Sequence, residues 1–106
     1  MKNLSSKEFD EVIGKDKLVV VDFYADWCMP CRFVAPILEK LEKEFDGKVE
    51  FAKVNVDENV ELARRYNISA IPTIMLFYNG KIVNSFVGAL PESMLRDEIR
   101  KALETL

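Results

Sequence analysis

Residues 18–31 are LVVVDFYADWCMPC, and the fold class follows from this stretch. Leu18 to Ala25 is a continuous β-prone run, which is typical of a strand buried on both faces of an α/β sheet. Two cysteines follow at positions 28 and 31, just before a helical pattern begins. The pair is therefore predicted to lie where a buried strand gives way to the N-terminus of a helix.

The helical pattern consists of apolar residues three and four positions apart, and Gly47 ends it. Its predicted buried face comprises Phe33, Val34, Ile37, Leu38, Leu41 and Phe45. Val49 to Val56 predicts a second strand. A strand, a helix and a strand in this order form a βαβ unit, so the two strands are expected to be parallel with a right-handed crossover.

The C-terminal half predicts a different pairing. Glu58 to Tyr66 indicates a short helix, and Thr73 to Tyr78 a third strand. Asn79-Gly80 favours a type I′ hairpin turn, so that Lys81 to Val87 pairs back antiparallel. Pro91 suits the first turn of a last helix. The predicted buried face of that helix comprises Leu95, Ile99, Ala102, Leu103 and Leu106.

The predicted fold class is α/β. A central mixed sheet combines a parallel βαβ half with an antiparallel ββα half and is flanked by helices, one of them a short helix between Ser5 and Gly14. The chain has 106 residues, which fits one domain spanning residues 1–106 and leaves no room for a second core.

Composition excludes several classes of function. The net charge is −3, whereas nucleic-acid binders carry a basic stripe. The chain has no histidine, which excludes His-ligated zinc and nucleophiles activated by histidine. No apolar run approaches the ~18 residues of a membrane span, and no apolar signal region follows Lys2. We therefore expect no metal, no nucleic-acid or membrane partner, and a cytoplasmic location.

Two close thiols can exchange electrons with another disulfide. At a helix N-terminus, unpaired N–H groups and the helix dipole stabilise a thiolate, so Cys28 is predicted to attack first and to be the more exposed thiol. Cys31 lies almost one turn further along the same side, close enough to form a disulfide with Cys28 and to resolve a mixed disulfide. The alternative is a pair of inert core thiols.

The sequence resembles the thioredoxin family over its whole length. The matching positions are Val21 to Cys31, Pro36, Lys53, Asp57, Ile71-Pro72-Thr73, Asn79-Gly80 and Gly88. The resemblance implies the thioredoxin fold and a protein-disulfide reductase that reduces oxidised client proteins through a reversible Cys28–Cys31 disulfide. It also implies a monomer without a cofactor of its own, recharged by a flavin- or ferredoxin-linked thioredoxin reductase.

Asp22 is a charged residue inside an apolar strand. Burial without a partner predicts a raised pKa; the alternative is a carboxylate at a strand end that reaches water. In proteins that this chain resembles, the matching aspartate helps to move the proton of the second thiol. Lys53 is then its charge partner, although an exposed lysine on an alternating strand is the alternative from the residues alone.

Several further residues are expected around the cysteines. The resemblance implies that Pro72 is cis, that Ile71 offers backbone hydrogen bonds to an extended substrate, and that Gly88 and Ala89 line the same groove. The alternative for the glycine and alanine is a plain turn at a strand end. Trp27, the single tryptophan, is either core or an aromatic frame for a docked peptide.

The dipeptide between the cysteines departs from the family. Met29 stands where the family usually has glycine, and it adds an apolar, polarizable side chain at the rim that faces a partner. Pro30 and Pro72 are expected, with Lys53, to support catalysis. Three other functions remain open: a disulfide isomerase or oxidant, a thioredoxin-like binding subunit, and a metal site shared by two cysteine pairs across a dimer.

Overall fold

The computed structural model describes all 106 residues and contains five strands and four helices. The strands are β1 Lys2–Asn3, β2 Leu18–Tyr24, β3 Val49–Asn55, β4 Thr73–Tyr78 and β5 Lys81–Val87. The helices are α1 Ser6–Ile13, α2 Met29–Glu44, α3 Val60–Arg65 and α4 Glu92–Glu104. None of these helices combines the length and the apolar character needed to cross a membrane.

The strands form one sheet in the order β1-β3-β2-β4-β5. β3 is parallel to both β1 and β2, whereas β4 pairs antiparallel with β2 and with β5. The predicted mixed sheet is therefore confirmed. β1 was not predicted, because two residues are too few to leave a pattern of hydrophobicity.

Helices cover both faces of the sheet, and successive side chains of β2 pack alternately against the helices on one face and on the other. Leu18 and Val20 pack into a cluster that includes residues of α2 and α4, whereas Val19, Val21 and Phe23 pack with α1 and α3. Because successive strand side chains point to opposite faces, Asp22 lies on the α2 side of the sheet. This alternation places the carboxyl group beneath the helix that carries the cysteines.

The hairpin turn and the starts of two helices test the local sequence signals directly. Asn79 and Gly80 both have positive φ, 50° and 81°, as a type I′ turn requires. α1 begins after Ser5, whose backbone N–H donates to Glu8 Oε1 at 3.2 Å, as in a capping box. Pro91 precedes α4 as its N-cap and does not lie within the first turn.

Three predictions about apolar faces and lengths were wrong. Phe33 is exposed because α2 buries the narrower stripe of Cys31, Val34, Leu38 and Leu41. Leu106 is half exposed because α4 ends at Glu104, before the predicted face is complete. α3 starts at Val60 and not at residue 58, because a turn occupies residues 56–58.

Ion pairs hold α2 against α4. The Arg96 guanidinium donates to both carboxylate oxygens of Glu44, at 2.7 and 2.8 Å, and to Glu92 at 2.8 Å. Lys40 on α2 lies 2.9 Å from the same Glu92 carboxylate. A network of this kind holds its side chains better than isolated pairs do, so it helps to fix the helix that begins at the cysteines.

Candidate functional site

The two cysteines form a disulfide at the start of α2. Cys28 is the N-cap residue, and Cys31 lies in the first helical turn, with 5.3 Å between the Cα atoms. The Cys31 N–H donates to Cys28 Sγ at 3.2 Å. The predicted pairing is confirmed. The two residues are 4% and 3% exposed, so in this disulfide form the predicted difference in exposure between them is not seen.

The helix N-terminus acts on the Cys28 sulfur more directly than on Cys31. A hydrogen bond from a backbone N–H and the positive end of the helix dipole both stabilise negative charge on that sulfur. Negative charge is therefore better stabilised at Cys28 Sγ than at Cys31 Sγ. No cluster of three or more His, Cys, Asp or Glu side chains is arranged to hold a metal ion.

Asp22 is a buried carboxyl group next to this pair. It is 2% exposed, and its Oδ1 has no hydrogen-bond partner. Desolvation raises the pKa of Asp22 to about 7, which confirms the predicted direction. The alternative of an exposed carboxylate at a strand end is wrong, because Asp22 lies within β2 and residues 18–23 are all buried.

A small cavity is lined by both Asp22 and Cys31. It has a volume of about 250 Å³, and its wall includes Asp22, Cys31 and Lys53, with Asp26 and Arg32 at its rim. Arg32 Nε donates to the Asp26 carbonyl at 3.1 Å, which holds the guanidinium at this rim. The cavity has polar side chains in its wall and is large enough for water.

Lys53 stands beside Asp22 on the neighbouring strand. The two residues are paired in the parallel register of β2 and β3, and the positive charge of Lys53 partly opposes the rise in the Asp22 pKa. The Lys53 ammonium also lies 5.3 Å from the centre of the Tyr24 ring, a cation–π distance. The lysine is half-buried in the cavity wall and is not a fully exposed residue of an alternating strand.

The Ile71–Pro72 bond faces the disulfide and is cis, as predicted. Cys28 Sγ lies 3.8 Å from the Ile71 carbonyl oxygen, and Pro72 is buried. The Gly88 N–H donates to the Pro72 carbonyl at 2.8 Å, which holds Gly88, followed by the exposed Ala89, beside the Ile71–Pro72 bond. Gly88 has a φ of 102°, a conformation that favours glycine.

Trp27 is not a core residue. Its side chain is 70% exposed, and its Nε1–H donates to Asp57 Oδ2 at 2.8 Å. The indole forms one end of a groove of about 630 Å³ that runs along α3 to Ile71. The remaining residues lining this groove are Val56, Val60, Ala63, Arg64, Asn67, Ile68, Ser69 and Ala70.

Phe33 belongs to the surroundings of the site, which the sequence did not indicate. It is 67% exposed and lies one helical turn beyond Met29, which is also exposed. Together they form an apolar stripe on α2 that starts beside the disulfide. Their separation of four residues along α2 is the signal that could have indicated a shared exposed side.

Comparison with known proteins gives a consistent result. A family model described as Thioredoxin matches residues 1–101. A thioredoxin of Chlorobaculum thiosulfatiphilum is 45% identical over 89 residues, covering 84% of this chain and 82% of that protein. Thioredoxin-1 of Saccharomyces cerevisiae is 47% identical over 90 residues, covering 85% and 86%. A chloroplastic M-type thioredoxin of Spinacia oleracea is 46% identical over 99 residues, covering 93% and 54%.

Proposed function

The chain belongs to the thioredoxin family and is a thiol–disulfide oxidoreductase, and we propose that it reduces client proteins with Cys28 as nucleophile and Cys31 as resolving thiol. The observation that supports this assignment is the disulfide at the start of α2, where the Cys28 sulfur accepts the Cys31 N–H. This hydrogen bond and the helix dipole favour the thiolate at Cys28 rather than at Cys31.

The reaction is a two-electron exchange in two steps. The Cys28 thiolate attacks one sulfur of a client disulfide, forms a mixed disulfide and releases the other client sulfur as a thiolate. Cys31 then loses its proton and attacks Cys28 Sγ, which forms the Cys28–Cys31 disulfide and releases the second client thiolate. The client is reduced by two electrons and the cysteine pair is oxidised, the state that the structure represents.

Asp22 is the proposed base for the second step. A carboxyl group with a pKa of about 7 is partly ionised at neutral pH and can accept the Cys31 proton through the shared cavity. Lys53 is proposed to support this role by keeping a fraction of Asp22 ionised. Pro30 and Pro72 are proposed to shape the backbone around the two sulfurs.

The client is proposed to lie across the disulfide in an extended conformation. Ile71 offers its backbone beside Cys28, Trp27 and Met29 provide exposed apolar surface on either side of Cys28 in the chain, and Gly88 and Ala89 lie beside Pro72. These apolar walls provide the contact area, and the backbone groups provide binding that is independent of the client sequence.

The setting of the reaction is also proposed. All 106 residues act as a single thioredoxin-like domain and a monomer, so that the disulfide side stays open to a reductase and to clients in turn. A dithiol that donates electrons must be kept reduced, which favours a cytoplasmic location with a flavin-linked thioredoxin reductase, or a ferredoxin-linked one in a compartment that supplies ferredoxin.

The double variant Cys28→Ser, Cys31→Ser tests the function directly. We expect it to lose insulin disulfide reduction with dithiothreitol as electron source, because no redox-active group remains. Thermal unfolding monitored by circular dichroism serves as the control for folding. Activity equal to that of the wild type in a folded double variant would contradict the proposal.

Replacing Phe33 with glutamine tests whether the apolar stripe contacts clients. We expect the KM for insulin to rise about fivefold, because an apolar contact is lost, and the rate with a small aromatic disulfide to stay unchanged. The matched control is Ile82→Gln, since Ile82 is similarly exposed but lies on the edge strand β5. Equal KM values for the two variants would place Phe33 outside the client contact.

A further inference from the structure

Asn55 is a buried polar residue at the end of β3. Its Oδ1 accepts the backbone N–H of Asp57 at 2.9 Å and that of Glu58 at 3.4 Å. A side chain that holds backbone groups two and three residues further on forms an Asx turn. The turn fixes the path of the chain between β3 and α3.

The turn determines where Asp57 presents its carboxylate. Asp57 Oδ2 is the acceptor for Trp27 Nε1–H at 2.8 Å, although both side chains are exposed. An exposed hydrogen bond contributes little free energy, because water competes for each group and both side chains must be ordered to form it. Asn55 lowers the entropic cost of ordering Asp57, because it holds the Asp57 backbone in place.

From this arrangement we infer that Asn55 is a positioning residue for client binding, which acts through Asp57 to hold the Trp27 indole at the end of the groove beside Cys28. The inference rests on the proposed function, in which Trp27 flanks the bound client. Asn55 itself touches neither the sulfurs nor a client. Its contribution is to keep the indole ordered before a client arrives, and this preorganisation lowers KM.

Asn55→Ala is a selective test. The substitution removes the two bonds made by Oδ1, but the Asn55 carbonyl still accepts the Glu58 N–H at 3.2 Å and Asn59 Nδ2 at 3.0 Å, so the start of α3 keeps its anchor. In the reduced protein we expect lower fluorescence anisotropy and stronger acrylamide quenching of Trp27, the single tryptophan. We also expect an about fivefold higher KM for insulin with kcat unchanged.

Two variants separate positioning from a merely structural role. Asn55→Asp keeps an acceptor oxygen for the same N–H groups, so it is expected to restore both the Trp27 signal and KM. Asn84→Ala is the matched control, because Asn84 Oδ1 also accepts a backbone N–H, that of Ser85 at 2.8 Å, on the edge strand β5. This control is expected to change neither readout.

The outcomes are distinguishable from those that test the oxidoreductase function. Unchanged quenching and KM in folded Asn55→Ala would overturn the inference, as would a fall in kcat with a small aromatic disulfide, since that reaction does not need the indole. Loss of all activity in the double variant Cys28→Ser, Cys31→Ser tests the oxidoreductase function and does not bear on the role of Asn55. If the alanine variant does not fold, Asn55→Ser, which keeps a weaker acceptor, is expected to give a smaller change in the same direction.

Discussion

Replacing Cys28 with serine is expected to lower the rate of insulin reduction by about 10³-fold or more, because a serine hydroxyl does not attack a disulfide at neutral pH. Replacing Cys31 with serine is expected to have a different result. The first step still occurs, but no thiol resolves it, so the client stays attached to Cys28 as a mixed disulfide. Mass spectrometry under non-reducing conditions measures the adduct.

Alkylation of the reduced protein checks the same assignment without a substitution. With limiting iodoacetamide at neutral pH, the adduct is expected predominantly on Cys28, whose sulfur accepts a backbone N–H at the helix N-terminus. Cys28 and Cys31 are almost equally buried in the disulfide form, so we expect thiolate stability to cause the preference for Cys28. Predominant labelling of Cys31, or a mixed disulfide trapped by Cys28→Ser, would reverse the two roles.

The parts of the fold that the sequence predicted are those where one local pattern decides. Seven of the eight residues from Leu18 to Ala25 are apolar or aromatic, a pattern that predicts a strand buried on both faces, and Asn79-Gly80 suits a turn with positive φ at both positions. Phe33 shows where such reasoning stops. It borders the buried stripe of α2, and whether a residue at that border is covered depends on what packs beside the helix, which is tertiary information.

The candidate site divides in the same way. The cysteine pair could be predicted because it lies directly at the start of a helical pattern. Asp22 could be predicted because it is the one charged residue in an apolar strand. The hydrogen bond between Trp27 and Asp57 could not be predicted, because it joins two loops that are thirty residues apart in the sequence. The turn that holds Asp57 could not be predicted either, because nothing in the residues around Asn55 marks it. Contacts between loops follow from the assembled sheet, so they leave no periodic signal in the sequence.

Replacing Asp22 with asparagine is expected to stabilise the disulfide form by about 4 kcal/mol near pH 8. The folded protein holds a proton on Asp22 up to a pKa of about 7, whereas the unfolded chain releases it near the ordinary value of 3.8. Between these two values the unfolded state binds fewer protons, so the free energy of unfolding of the wild type falls as pH rises. Asparagine does not titrate and escapes this loss.

The pH dependence identifies the cause. The difference in free energy of unfolding between variant and wild type is expected to be near zero at pH 4, to grow up to about pH 7 and to stay constant above it. Denaturant unfolding at several pH values measures it, and the other carboxylates cancel because both proteins contain them. Asp97→Asn, which removes an exposed carboxylate on α4, is the matched control for the change of charge.

The same substitution is expected to slow insulin reduction by about tenfold to a hundredfold, because Cys31 loses the base that accepts its proton. Water in the cavity then takes the proton less readily, and the mixed disulfide persists longer in a single-turnover experiment. The two effects have opposite signs and one origin, a buried carboxyl group that costs stability and accelerates the resolving step. A variant that is less stable and fully active would instead make Asp22 an ordinary structural residue, since a paired carboxylate loses stability on neutralisation and takes no proton from Cys31.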